Sequence, residues 1–87
     1  MKTIYKYPLQ VTDTQEIEMP AGGMALSVQM QNGVPCLWAV VDTDAPKIKR
    51  IIHVYGTGHP MESHVHRYIS TFQMQGGALV FHAFEEQ

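Results

Sequence analysis

The clearest signal in this chain is a period of two. Met24, Leu26, Val28 and Met30 alternate with Ala25, Ser27, Gln29 and Gln31. Successive side chains of a strand point to opposite faces, so the run predicts a β-strand carrying the first four residues on one face and the second four on the other. Asn32-Gly33 follows. This pair accepts the positive φ values of a type I′ turn, whose twist suits antiparallel neighbours, and residues 24–31 and 34–42 are therefore expected to form a hairpin. The returning run Cys36, Leu37, Trp38, Ala39, Val40, Val41 is apolar on both faces, which predicts a strand that is central or covered.

The rest of the chain reads the same way. Residues 2–9 alternate, with Ile4 beside Lys2 and Lys6 on one side and Thr3, Tyr5 and Tyr7 on the other, before Pro8 breaks the run. Lysines and a proline in such a run mark an edge strand. Residues 11–16 are polar and turn-like, and 15–19 form a short strand candidate stopped by Pro20 and Gly22-Gly23. Residues 47–55 return to β propensity, Gly56-Thr57-Gly58-His59-Pro60 interrupts them, and a polar loop with Glu62, Ser63, His64 and His66 leads to a second strand–turn–strand pattern over 68–75, Gly76-Gly77 and 78–85. No ten-residue stretch carries a helical period. The expectation is a single all-β domain over residues 1–87, a compact small sandwich or barrel of six or seven strands with two similar hairpins turning at Asn32-Gly33 and Gly76-Gly77.

An internal repeat sharpens this picture. Ser27-Val-Gln-Met-Gln-Asn-Gly-Val aligns with Thr71-Phe-Gln-Met-Gln-Gly-Gly-Ala at an offset of 71 − 27 = 44 residues, and the alignment continues through Leu37/Phe81, Trp38/His82 and Ala39/Ala83. Duplication leaves such spacing. Convergence on the few residue types that hairpin turns admit would produce a similar match.

Composition narrows the function classes. At 87 residues the chain supports one modest core, so a site is expected on a surface, at a sheet edge or between subunits rather than in a large internal cavity. Six Lys and Arg against eight Asp and Glu leave a net charge of −2, and no general basic field exists to hold bulk nucleic acid. A single cysteine, Cys36, permits no internal disulfide. With no apolar run of spanning length and no signal-like segment, the reading is a cytoplasmic protein without membrane partners. Edge strands on a small core predict a homo-oligomer.

Two groups of residues carry candidate chemistry. Lys47, Lys49 and Arg50, with Arg67 and the ring of Tyr55, would suit a small anionic ligand of nucleotide type, cations on phosphate and aromatic on base. Lysines on an edge strand also serve simply to block strand addition. His64 and His66 on an extended segment would project to one side as donors for a divalent metal, completed by His59, His82 or Cys36. Gly58-x5-His64-x-His66 resembles the opening of the first cupin motif, which would imply a metal-dependent enzyme. The glutamate of that motif is missing, with Ser70 and Thr71 in its region, and no second cupin motif follows. A solvated histidine-rich loop accounts for the same residues. Gly56-Thr57-Gly58 reads as a tight turn, and no arrangement of Ser, Thr, His and Asp nominates catalytic residues.

Lys6-Tyr-Pro-Leu9, Gln31-Asn-Gly-Val-Pro-Cys-Leu-Trp-Ala39, Tyr55-Gly-Thr-Gly-His59 and Thr71-Phe-Gln-Met-Gln-Gly-Gly-Ala-Leu-Val-Phe-His82 together resemble a family of small uncharacterised proteins of bacteriophages and bacteria. The resemblance brings no activity and no site residues. It implies an accessory factor that binds a host protein or a small signalling molecule, and the setting expected is anti-defence in the cytoplasm of a bacterial host. The function expected is a non-enzymatic binding module without a cofactor, capturing a host protein or a small nucleotide-type signal. The alternatives are a metal-dependent cupin-like enzyme built on His64 and His66, and a structural oligomer with no small ligand.

Overall fold

The computed structural model describes residues 1–62 and 66–87. Seven strands are found among them: β1 (Lys2–Pro8), β2 (Thr14–Pro20), β3 (Met24–Gln31), β4 (Val34–Asp42), β5 (Lys47–Gly56), β6 (His66–Met74) and β7 (Leu79–Glu86). They make two antiparallel sheets, one ordered β1-β4-β3 and the other β2-β5-β7-β6. The sheets face each other as a small sandwich rather than closing into a barrel. The strand that is apolar on both faces, β4, is central in its sheet, and β1 lies at an edge as its lysines and proline predict.

The core is what the inward halves of these strands supply. Leu9, Ile17, Met19, Val28, Leu37, Ala39, Val41, Ile52, Val54, Phe72 and Ala83 are buried in one cluster. Inward positions alternate with outward ones along β4, where Leu37, Ala39 and Val41 are buried against the opposite sheet and Trp38 and Val40 are left half-buried outside. The same alternation in β7 sends Phe81, Ala83 and Glu85 inward and His82, Phe84 and Glu86 outward.

The two hairpins share one register. Val28 pairs with Leu37 and Phe72 with Phe81, Gln29 with Cys36 and Gln73 with Val80, Met30 with Pro35 and Met74 with Leu79. Each pair is displaced from its counterpart by the 44 residues of the repeat. The turns differ. Asn32 and Gly33 take φ of 51° and 80°, as a two-residue I′ turn requires, whereas Gln75, Gly76 and Gly77 all have positive φ and close a single 3-10 turn through Ala78 N–H to Gln75 O.

One face assignment changes. A β-bulge between Ala25 and Ser27 sets both Leu26 and Ser27 opposite Trp38, and an extra residue reverses the alternation beyond it. Val28 and Met30 therefore lie on the core side as one face, but Met24 and Leu26 are exposed and Ala25 packs inward in their place. An equivalent bulge between Tyr68 and Ser70 does the same in β6.

One ion pair enters the sandwich. Arg50 on β5 points to the inner side and binds Glu85 of β7 with both Nε and a terminal nitrogen, Nη2 at 2.9 Å from Oε1. Glu85 is buried. A fork-shaped guanidinium meeting a carboxylate satisfies both groups where little water reaches them, and removing one partner strands the other. Glu85→Ala is expected to destabilise the fold by about 3–5 kcal/mol in urea unfolding. The double change Arg50→Met with Glu85→Leu should restore most of that loss.

Candidate functional site

The outer face of the four-stranded sheet gathers the aromatic and imidazole side chains of three strands. Period two puts His53 and Tyr55 of β5 on it, with His82, Phe84 and Glu86 of β7. Pairing then sets His53 beside Phe84 and Tyr55 beside His82. β6 adds Tyr68 beside Phe84 and His66 beside Glu86. Tyr55 and Tyr68 meet the Phe84 ring edge-on, at centroid distances of 5.8 and 5.5 Å. His66 stacks on His53 at 4.3 Å.

His53 is the most constrained of these groups. It is buried, its Nδ1 lies 3.1 Å from Thr14 Oγ1 of β2, and its Nε2 lies 3.2 Å from Glu86 Oε1 of β7. One imidazole thus ties three strands together. A second polar chain runs through His82, whose Nδ1 is 2.9 Å from Thr71 Oγ1 and whose Nε2 is 2.7 Å from Thr57 Oγ1; Tyr68 Oη is 2.8 Å from the same Thr71 oxygen. With Thr57 donating on to the Val80 carbonyl, every group is satisfied by one direction of donation, from Tyr68 through Thr71 to His82 Nδ1 and from His82 Nε2–H to Thr57.

Beside this face a cleft of about 230 Å³ opens between the start of β2, the end of β5 and the segment that follows it. Asp13, Thr14, His53, Tyr55, His59 and Glu62 supply its polar and aromatic walls. Burial, and then the negative charges of Glu62, Asp13 and Glu86, push the Tyr55 phenol above its ordinary value, against an opposing hydrogen bond from the Glu62 backbone. Three carboxylates thus bear on the phenol at this end of the sheet.

The residues nominated from sequence are spread over the molecule. Lys47 and Lys49 lie on the outer face at the opposite end of β5 from Tyr55, with Lys47 about 26 Å from it along the extended strand. Lys49 sits 3.8 Å from Glu16 in an exposed pair, a contact of small energetic weight. Arg50 faces the interior and is neutralised by Glu85. Arg67 is exposed on β6, at the far edge of the sheet. Lys47 and Lys49 share a face, and Arg67 is in register with the Glu85 that Arg50 binds, but Lys47 and Lys49 lie at the far end of β5 from Tyr55. Of the metal candidates, His64 lies outside the described residues. His59 is exposed in the segment after β5, its ring against Gly56, and His66 is on His53. Among the described residues no three His, Cys, Asp or Glu side chains are grouped to hold a metal ion, and no helix is long and apolar enough to cross a membrane.

The cleft draws on residues that sequence reasoning passed over, His53, Asp13 and Thr14 above all. Alternation places His53 with Tyr55 on one face of β5, and His82 with Phe84 and Glu86 on one face of β7. Only the pairing of β5 with both β2 and β7, across long stretches of chain, brings these groups together.

A family model described as a domain of unknown function (DUF7352) matches residues 1–87, and the chain belongs to that family. No curated protein and no solved structure matches the chain at a significant level.

The field around Tyr55 has a measurable sign. A phenol whose folded value is raised contributes stability that is complete below its unfolded value, about 10, and is lost as pH rises through the folded one. In an ultraviolet titration of the four tyrosines, the component removed by Tyr55→Phe is expected to ionise above that of unfolded tyrosine. Asp13→Asn should move it back down.

Proposed function

We propose that this chain is a non-enzymatic binding module, and that its ligand is a planar, hydrogen-bonding molecule of nucleobase or nucleoside type held in the cleft beside Tyr55. The observation that carries this reading is the composition of that cleft. It combines the exposed part of the Tyr55 ring and the His59 ring with the Asp13 carboxylate within about 230 Å³. Stacking on an aromatic side chain contributes about 1–3 kcal/mol per base, and a carboxylate accepts from exocyclic amines or sugar hydroxyls.

The position of the cations refines the nucleotide-type reading. Lys47 and Lys49 are too far along β5 to reach a phosphate on a base seated at Tyr55, and Arg50 is already paired. The base and sugar are then the recognised parts, and phosphates extend toward solvent. The accessory, anti-defence role in a bacterial host is proposed together with this site, the ligand being a host-derived signal that the protein withdraws from use.

Native mass spectrometry of untagged protein purified without chelator is expected to show a nucleoside- or nucleotide-sized adduct. Equilibrium dialysis should give affinities that Tyr55→Leu and Asp13→Ala each weaken at least about tenfold, or 1.4 kcal/mol, while Lys47→Ala with Lys49→Ala leaves them unchanged. Failure of a panel of nucleosides and nucleotides to bind would refute the reading. Binding that depends on the two lysines would move the site to the other end of β5.

A further inference from the structure

We propose that the outer face of the three-stranded sheet is the contact surface of a homodimer, covered by a second copy of this chain about a two-fold axis running along β4. The starting point is β4 itself. A strand apolar on both faces is normally buried on both, yet Trp38 and Val40 on the outward half of β4 are only half-buried. Register aligns Ile4, Val40 and Met24 in one row across the sheet, and Lys6, Trp38 and the bulged Leu26–Ser27 in the next. Ile4, Met24 and Leu26 are 56%, 48% and 45% exposed, with Trp38 and Val40 half-buried between them. Contiguous apolar surface of this kind marks an interaction site.

The rim says what kind of partner fits. The Met1 ammonium lies 3.3 Å from Asp42 and 2.8 Å from Asp44, and Lys6 donates to Gln31 Oε1 at 2.7 Å while resting 6.0 Å from the centre of the Trp38 ring. With most of these charges answered within the chain, the patch offers little field to a charged partner and suits an apolar surface of the same outline. A two-fold axis along β4 supplies one. It sets Ile4 against Met24 of the partner subunit and Met24 against Ile4 of the partner subunit, the reciprocity an isologous interface requires. An axis across the strands would instead bring Lys2 over Lys6 of the partner subunit, which repels.

Strands of 7, 9 and 8 residues, at about 3.4 Å per residue and about 4.8 Å apart, give about 390 Å² of flat sheet per copy, more with side-chain relief. Two such faces fall short of the roughly 1,000 Å² that a stable specific interface clears, so the dimer is weak and reversible.

Sedimentation equilibrium of the whole chain, from low micromolar to sub-millimolar concentration, tests this. The wild type is expected to dimerise. Ile4→Lys and Met24→Glu should each weaken dimerisation at least about tenfold, with circular dichroism and thermal midpoint unchanged because both sites are exposed. The double variant should dimerise more tightly than either single one, because the new lysine meets the new glutamate across the axis. A monomer at every concentration, or a dimer indifferent to both single changes, would overturn the proposal. A double variant no tighter than the singles would overturn it as well, by removing the axis along β4.

Discussion

The Ser70 hydroxyl donates to the carbonyl of Val28 at 3.1 Å, and with it the two sheets are joined. Ser70 is on β6 and Val28 on β3, the last strand of each sheet. An edge strand leaves every second backbone carbonyl without a ladder partner, and Val28 is buried, where such a group costs free energy unless it is bonded. A serine from the opposite sheet supplies that bond, and its oxygen also lies 3.5 Å from Ser27 Oγ. Two edges that could otherwise recruit foreign strands thereby protect each other. A bulge immediately precedes each of these two serines, at Leu26 in β3 and Ile69 in β6.

This junction sets the equivalent hairpins against each other and gives their outward faces to different surroundings. Trp38 and His82 occupy matching places in the repeat, each on the outer side of a central strand. Around Trp38 the neighbours are Ile4, Leu26 and the Lys6 stem. Around His82 they are Thr57, Thr71 and Tyr55. One framework thus carries an apolar face and a hydrogen-bonding aromatic face back to back. Because the inner halves of both hairpins are committed to one small core, the outer halves are where such copies can differ without unfolding the domain.

Most of the fold was legible because strand alternation and turn chemistry are local. The Asn-Gly turn, the doubly apolar β4 and the edge character of β1 each follow from a few adjacent residues. The bulge at Leu26 was not legible, since the apolar–polar alternation runs through it unbroken, and it sent Met24 and Leu26 outward against the alternation that had placed them with Val28. The site was less legible for the same reason. Arg50 sits among lysines in sequence and reads as part of a basic patch, but its position on the inner side, opposite Glu85, depends on a strand 35 residues away. His53 looked like an ordinary strand residue until Thr14 and Glu86 arrived on either side of it. Sequence spacing reports which residues share a face, and long-range pairing decides what that face adjoins.

The pairing of β1 with β4 has a consequence for the nascent chain. β1 is made before the strand it pairs with, whose residues follow their partners by 42 − 2 = 40 positions at Lys2–Asp42 and 36 − 8 = 28 at Pro8–Cys36. In that interval the hairpin of β3 and β4 closes through its own short turn, whereas β1 must wait in solution. Lys2, Lys6 and Pro8 make it a poor template for any other strand during the wait. The same residues that keep a finished edge from aggregating also guard this segment while it is unpaired.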